Sequence, residues 1–142
     1  MDPDDPYDLQ RFLDAQAGVF QTALRELTRG TKQSHWMWFI FPQVAGLGRS
    51  STAVFYAIKS RAEAEAYWRH PILKERLQKC AGALLNLEGK TATEVMGSPD
   101  DLKLRSSLTL FEEVAGEAAI FGQVLAKYFA GERDPNTLAA LE

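Results

Sequence analysis

Apolar residues recur at a helical spacing along most of this chain. The first apolar stripe covers about residues 6–29, and Gly30 follows it as a helix stop. Three further stripes follow, and residues 60–69 are rich in Ala and Glu, which favours another helix. The four stripes consist of Leu9, Phe12, Leu13, Phe20, Leu24 and Leu27; of Leu73, Leu77, Cys80, Leu84 and Leu87; of Leu104, Leu108, Phe111 and Ala115; and of Phe121, Leu125 and Tyr128.

Prolines mark the predicted starts of several helices. Pro6 and Pro99 each follow a capping residue and precede an acidic residue of a first helical turn. Proline is tolerated at that position because its missing N–H has no partner in the helix, and the acid opposes the positive helix end. Pro135 follows the same pattern more weakly. Pro71 marks another boundary, since a residue before proline disfavours the α conformation.

Only residues 36–41 and 52–58 have the composition of strands. Neither segment has a hairpin partner with turn chemistry beside it. We therefore predict an all-α fold, a single compact helical domain over residues 1–142 with five to seven helices. A short two-stranded pairing near residues 36–58, through the loop that contains Gly46 and Gly48, is the alternative for this part of the chain.

Length and charge narrow the classes of function. A chain of 142 residues fits one domain, and its net charge of -3 argues against binding to a nucleic-acid backbone. The longest aromatic run is about half of the roughly 20 residues that span a membrane. The acidic start of the sequence lacks the basic and apolar regions of a signal peptide. We predict a cytoplasmic location, no nucleic-acid partner and no membrane association. No feature of the sequence specifies an oligomeric state.

Metal and cofactor sites are not indicated. The single cysteine, Cys80, excludes an internal disulfide and a cysteine-rich metal cluster. His35 and His70 are far apart in the sequence and form no pair at zinc-site spacing. We therefore predict no metal and no cofactor.

An aromatic run at residues 34–43 is the best candidate wall for a pocket. It reads Ser-His-Trp-Met-Trp-Phe-Ile-Phe-Pro-Gln and contains two of the three tryptophans. Aromatic side chains of this size must be buried or must bind something. If the run is extended, Trp36 and Trp38 share one face and His35 lies on the other. Core packing is the alternative explanation, and Gln43 closes the run with a polar group.

Two other segments offer polar side chains for a ligand. The Gly-rich turn at residues 46–51 contains Arg49 and Ser50 and could hold an anion on its backbone N–H groups, although an ordinary loop explains it as well. Glu63, Tyr67 and His70 are spaced by four and three residues, so a continuous helix would place them on one face. Such a row could transfer a proton or bind a polar ligand. The alternative is a surface Glu, a half-buried Tyr and a helix-end His.

A hydroxyl-rich helical segment covers residues 101–109. Lys103 and Ser107 fall on one flank of its apolar stripe. A lysine beside a hydroxyl at the edge of a core is typical of a phosphate or carboxylate site. The alternative is a lysine that extends its amine to solvent and serines that allow close helix packing. Gln16, inside the first stripe, is interpreted as a buried amide with a hydrogen-bond partner, and a pocket residue is the alternative.

The assembled segments resemble one bacterial family over nearly the whole chain, the domain-of-unknown-function family 1810. The resemblance implies a small, mainly helical protein with no established activity. Members are sometimes labelled calpastatin, but nothing in this sequence supports protease inhibition. The matching segments are residues 8–12 with Gln16, 34–43, 46–50, 56–58, 63–64 with 66–67, His70 with Pro71, Arg76 with Leu77, 101–107, 109–111, and Gly131, Asp134 and Thr137.

A fainter similarity connects the chain to the helical NADAR group, which is linked to N-glycosidic cleavage of ADP-ribose-like or riboflavin-precursor metabolites. An acid near a tyrosine, Glu63 and Tyr67, and the late-helix Lys103 carry this similarity. It covers no long motif, and it assigns no catalytic residue.

Two functions follow from these patterns. In the first, the protein binds a small polar or nucleotide-like metabolite, either without catalysis or with N-glycosidase-type hydrolysis. Glu63 would then be the general acid or base, with His35 as its alternative. The predicted ligand-binding residues are Trp36, Trp38, Gln43, Arg49, Ser50, Tyr67, His70, Lys103 and Ser107.

In the second function, the protein is a non-enzymatic interaction module, and the aromatic segment 36–42 binds another protein. The positions of a few side chains in the structure distinguish the two predicted functions. The first requires His35, Glu63, Tyr67 and Lys103 to lie close together, and the second requires Trp36, Trp38 and Phe41 to be exposed together.

Overall fold

The structure describes residues 3–116 and 119–142 of a computed structural model. Within these residues every regular secondary-structure element is a helix. The prediction of an all-α single compact domain is confirmed. The number of helices in the described residues is ten rather than five to seven, because several predicted segments divide into short helices. They are α1 (Gln10–Gln16), α2 (Phe20–Arg29), α3 (Met37–Ile40), α4 (Ser51–Tyr56), α5 (Arg61–Arg69), α6 (Pro71–Asn86), α7 (Ala92–Met96), α8 (Asp100–Ala115), α9 (Phe121–Phe129) and α10 (Pro135–Ala140).

The predicted first helix is two helices. Gly18 adopts a φ of 76°, a left-handed conformation that favours glycine, and this residue separates α1 from α2. The start also differs from the prediction, because α1 begins at Gln10 and not near Pro6. The Asp5 carboxylate accepts hydrogen bonds from the backbone N–H groups of Leu9 at 2.8 Å and Gln10 at 2.9 Å. These bonds satisfy two donors that a helix start leaves without partners.

The alternative of a two-stranded pairing is wrong for residues 36–58. Residues 37–40 and 51–56 are helical, and the segments meet only through an isolated parallel bridge between Val44 and Ile58. Ile58 donates its N–H to the Gln43 carbonyl at 2.8 Å and accepts from the Ala45 N–H at 2.8 Å. This bridge holds the loop before α4 against the end of α4.

The core is built around α8, which packs against α5, α7, α9 and α10, while α2 packs against α6. Leu104, Leu108 and Phe111 of α8 are 0–1% exposed. Phe111 lies between Tyr67, at a ring distance of 5.0 Å, and Phe121, at 6.1 Å. The helix that carries the predicted Lys103 is therefore also the central helix of the fold.

The aromatic run belongs to the core rather than to the surface. Trp36 and Phe41 are 0% and 1% exposed, whereas Trp38 is only partly buried. The extended conformation in which the two tryptophans would share a face is not formed, because residues 37–40 turn as a helix, in which residues two apart point in nearly opposite directions. Trp36 and Phe41 are therefore not exposed together with Trp38, and the joint exposure on which the second predicted function depends is not found.

One buried carboxylate holds the start of the aromatic run in place. Glu26 accepts hydrogen bonds from the backbone N–H groups of Gln33 at 2.8 Å and Ser34 at 2.9 Å, from the Ser34 hydroxyl at 2.6 Å, and from Trp36 Nε1 at 2.9 Å. Burial alone would raise the pKa of Glu26, but these donors lower it from 4.5 to about 2. Its negative charge is therefore a structural component of the fold at neutral pH.

None of the helices in the described ranges is long and apolar enough to cross a membrane.

Candidate functional site

A pocket of about 540 Å³ lies between the loop before α4 on one side and α8 with the start of α10 on the other. Leu47 and Leu102 supply apolar parts of its wall. We call it the cationic pocket, because three basic side chains line it and one carboxylate faces them. Its main polar residues are Gln43, Arg49, Ser50, Lys103, Arg105 and Asp134.

The loop side of the cationic pocket is fixed by a close approach to α4. A Cβ atom at Gly48 would lie 2.6 Å from the Ala53 Cβ atom, so the loop can take this path only without a side chain there. The Ser50 hydroxyl accepts a hydrogen bond from the Ala53 N–H at 3.1 Å and caps α4. Arg49 thereby lies at the pocket, exposed and with no hydrogen bond or ion pair to the described residues.

Lys103 lies between a carboxylate and a tryptophan. Its Nζ atom is 3.5 Å from Asp100 Oδ1 and 5.9 Å from the centroid of the Trp38 ring. The ring is within the range of a cation–π contact. Trp38 also lines a small cavity of about 20 Å³ that shares Gln43 and Gly48 with the cationic pocket. Trp38 thus lies next to the cationic pocket, whereas Trp36 is fully buried and not available to stack on a ligand.

Arg105 is the partly buried cation of the cationic pocket that lacks hydrogen-bond partners in the described ranges. Its guanidinium donates no hydrogen bond within the described part of the chain, and its buried Nε atom has no partner. Its nearest acids are Glu132, 3.9 Å from Nη1, and Asp134, 3.8 Å from Nη2. Both distances exceed those of hydrogen bonds. The Nη1 and Nη2 donors are therefore without a hydrogen-bond acceptor among the described residues.

Arg11 shows how the same side chain is satisfied elsewhere in this fold. Its Nη2 atom binds Glu63 Oε2 at 2.6 Å, in an ion pair whose two side chains are about 5% exposed. Its other donors bind backbone carbonyls at 2.7–3.1 Å, and in total it forms five hydrogen bonds. The carbonyls belong to Tyr7, Asp8, Phe55 and Ala57. The lack of hydrogen bonds to described residues at the Arg105 guanidinium therefore results from its surroundings in the cationic pocket, because an arginine elsewhere in the same fold is fully hydrogen-bonded.

Asp134 supplies the negative charge of the cationic pocket. It is 5% exposed, and its Oδ2 atom accepts hydrogen bonds from Thr137 at 2.6 Å and Ser106 at 2.8 Å. Burial alone would raise the pKa of Asp134, but these two bonds, the Asn136 N–H and the Arg105 charge hold it below 3.8. Asp134 is therefore ionised at neutral pH, and its charge lies 3.8 Å from Arg105 Nη2.

Glu63, the predicted general acid or base, lies in a different place. It lines a second groove of about 530 Å³ together with Tyr7 and Phe55. Its Oε2 atom binds Arg11, and its Oε1 atom accepts from the Lys59 N–H at 3.2 Å. Its carboxylate is engaged by a partner 52 residues away in sequence, and the structure does not bring it to Lys103.

The other predicted residues are also separate from the cationic pocket. His35 is exposed and forms no hydrogen bond within the described ranges. His70 caps α6, since its Nδ1 atom accepts from two N–H groups of the first turn at 3.3 and 3.4 Å. Tyr67 is fully buried, accepts from Gln16 Nε2 at 3.2 Å, and has a pKa that burial raises. Ser107 is 1% exposed, and its hydroxyl has no partner among the described residues.

The composite site predicted from His35, Glu63, Tyr67 and Lys103 is therefore not formed. What the structure assembles instead is a group of four predicted residues with Trp38 beside them: Gln43, Arg49, Ser50 and Lys103. The sequence reasoning missed Arg105 and Asp134. The sequence signals for them are that Arg105 lies in the hydroxyl-rich segment, that Asp134 precedes a helix-starting proline, and that both fall in segments that carry the family resemblance.

Comparisons with known proteins agree with this fold. The structure is similar to the crystal structure of the conserved hypothetical protein Rv1873 from Mycobacterium tuberculosis, with 48% sequence identity and a TM-score of 0.93. The match covers 96% of this chain and 98% of that chain. A search of curated proteins finds no match. A family model described as "Protein of unknown function (DUF1810)" matches residues 6–141.

Proposed function

The chain belongs to the family of proteins of unknown function DUF1810, and from that premise we propose that the protein binds a small anionic, nucleotide-like metabolite in the cationic pocket. The family description specifies no reaction. The proposal therefore depends on the chemistry of the pocket itself.

The open guanidinium of Arg105 is the observation that carries the proposal. A buried donor without a partner costs about 1–3 kcal/mol, and more when the group is charged. Arg11 shows that this fold can satisfy an arginine fully with backbone carbonyls and one carboxylate. An anionic ligand would supply the missing acceptors at Arg105.

The local charge supports an anion. The whole chain has a net charge of -3, yet the cationic pocket brings Arg49, Lys103 and Arg105 against the single carboxylate of Asp134. A concave site with one sign of charge concentrates ligands of the opposite sign. An anionic metabolite is therefore attracted to this face of an otherwise acidic protein.

The rest of the lining fits an organic body next to the anionic group. The volume of about 540 Å³ lies within the range of roughly 300–1,000 Å³ for small-molecule sites. Leu47 and Leu102 provide apolar contacts, and the Gln43 amide forms no side-chain hydrogen bond with other described residues. A free amide can both donate to and accept from the edge of a base.

The proposal assigns binding and no hydrolysis. Glu63, the predicted catalytic acid, lies in the second groove and is bound by Arg11. Asp134 is the carboxylate of the cationic pocket, and its lowered pKa makes it a poor proton donor at neutral pH.

A thermal-shift screen with nucleotides, ADP-ribose derivatives and pyrimidine metabolites tests the proposal. A ligand at about 100 times its dissociation constant stabilises the fold by about 2.7 kcal/mol. For a chain of this size, this corresponds to an increase in Tm of about 5–10 °C.

The matched variants are Arg105→Gln and Arg69→Gln, which remove the same charge inside and outside the pocket. Arg69 is 78% exposed on α5. We expect Arg105→Gln to weaken binding at least about tenfold, since hydrogen bonds to charged groups contribute about 1.5–3 kcal/mol. Arg69→Gln should bind as the unmodified protein does. Equal binding by both variants, or no shift with any ligand of the screen, would contradict the proposed function.

A further inference from the structure

The cations of the pocket approach it from two parts of the fold. Arg49 comes from the loop before α4, and Lys103 and Arg105 come from α8. Hydrogen-bond donors that approach from two sides of a pocket suit a tetrahedral group with three anionic oxygens. A carboxylate presents only two oxygens in one plane, and a single guanidinium matches it.

Carboxylates within this protein provide an internal comparison. Glu63 is paired with one arginine, Arg11, at 2.6 Å. Glu112 is bound through both of its oxygens by one arginine, Arg133. One cation therefore suffices for each of these carboxylates, whereas the cationic pocket contains three.

The charge balance of the pocket points to a dianion. Three cations face one ionised carboxylate, Asp134, which leaves an excess of two positive charges. Asp100, which contacts Lys103 at 3.5 Å, lies closer to Lys32, at 3.0 Å. Glu132 is 76% exposed and lies 3.9 Å from Arg105, so solvent screens its charge. A phosphate monoester carries about −1.5 to −2 charges at neutral pH.

We infer that the ligand of the cationic pocket is a phosphate monoester bound as its dianion. This inference rests on the proposed function and narrows its ligand class to phosphorylated metabolites. The phosphate oxygens accept hydrogen bonds from Arg49, Lys103 and Arg105, and the organic part of the metabolite lies towards Leu47 and Gln43.

The pH dependence of binding can identify the dianion. No histidine or cysteine is among the described residues that line the pocket, so no lining group has an ordinary pKa between about 5 and 8. A phosphate monoester has a second pKa near about 6 and changes charge in this range. Binding that requires the dianion therefore reports the ionisation of the ligand. The charged groups that face the ligand or its contacts are Arg49, Lys103, Arg105, Asp134, Asp100 and Glu132.

Isothermal titration calorimetry with phenyl phosphate, phenyl sulfate and benzoate tests the inference on the full chain. The three probes share a ring and differ in charge and geometry. At about pH 7.5, we expect phenyl phosphate to bind at least about tenfold more tightly than the other two. At about pH 5, its affinity should fall about tenfold, because only about one tenth remains dianionic, while the affinity for phenyl sulfate stays constant.

Arg49→Gln provides a variant that does not endanger folding, since Arg49 is exposed and has no partner among the described residues. We expect it to weaken phenyl phosphate binding about tenfold and to leave the Tm of the free protein unchanged. Arg69→Gln is the matched control and should leave both quantities unchanged.

Two results would overturn the inference without affecting the proposed function. One is phenyl sulfate or benzoate binding as tightly as phenyl phosphate, and the other is binding of a thermal-shift ligand that has no phosphate monoester while phenyl phosphate does not bind. Failure of every probe and of every ligand in the thermal-shift screen would remove the proposed function as well.

Discussion

Replacing Glu26 by glutamine isolates the contribution of one buried charge to stability. The amide oxygen can keep the position of Oε1, which accepts from Gln33, Ser34 and Trp36, and the amide nitrogen can donate to the Ser34 hydroxyl. The shape and the hydrogen bonds are therefore largely retained, and the negative charge is lost. Hydrogen bonds to an ionised acceptor are about twice as strong as neutral ones.

The pKa of Glu26 gives the magnitude. A carboxyl whose pKa falls from 4.5 to about 2 on folding stabilises the folded state by about 3 kcal/mol at neutral pH. For a chain of this size, losing this amount lowers the Tm by about 6–12 °C. Because the folded-state pKa is depressed, the contribution is complete above pH 4.5 and is lost as the pH falls towards 2. Less than half of it remains at about pH 3.

Urea unfolding followed by tryptophan fluorescence measures both effects, since Trp36 is fully buried in the folded protein. We expect Glu26→Gln to be less stable than the unmodified protein at about pH 7 and the difference to shrink by more than half at about pH 3. Glu75→Gln is the control, because Glu75 is exposed and contacts Lys79. If Glu26→Gln matches Glu75→Gln at every pH, the charge of Glu26 does not stabilise the fold and the reasoning is refuted.

Three further variants or measurements test other parts of the structure. Gly48→Ala should weaken ligand binding in calorimetry, because its Cβ atom would lie 2.6 Å from the Ala53 Cβ atom and displace the pocket loop; unchanged affinity and Tm would show that the loop adapts. Cys80 is fully buried, and burial raises its thiol pKa to about 12, so iodoacetamide followed by mass spectrometry should label it only after unfolding. Rapid labelling of the folded protein would contradict that burial. Tyr67→Phe should cost about 1 kcal/mol in urea unfolding, because Gln16 keeps its 2.7 Å hydrogen bond to a carbonyl, and a cost above about 3 kcal/mol would show a larger role for the hydroxyl.

Apolar spacing predicted the long helices but not the breaks between short ones. The stripe on either side of Gly18 continues without interruption, so the sequence pattern alone indicates one helix where the structure has α1 and α2. Aromatic and β-branched residues at 36–41 favour a strand on composition. Burial of Trp36 on Glu26 and of Phe41 in the core fixes a single helical turn there instead, which is a tertiary effect.

For the candidate site too, local sequence features predicted some residues, whereas contacts between distant segments could not be predicted. Arg49, Ser50 and Lys103 were predicted from local features, a Gly-rich turn and a hydroxyl-rich helix, and they do line one pocket. Glu63 was placed with them because helical spacing connects it to Tyr67, and both are indeed buried on α5. Their partners come from distant segments, however, and pairings across such separations cannot be read from spacing along one helix.

The hydrogen bonds of Arg11 have a practical consequence for handling the protein. Two of its acceptors are the carbonyls of Tyr7 and Asp8, and a third is that of Phe55. Trimming the chain ahead of Leu9 would thus remove two of the five hydrogen-bond acceptors of a buried guanidinium, together with the Asp5 cap of α1. Affinity tags, fluorophores and surface tethers are accordingly better placed away from the residues that precede Leu9, so that this junction stays intact.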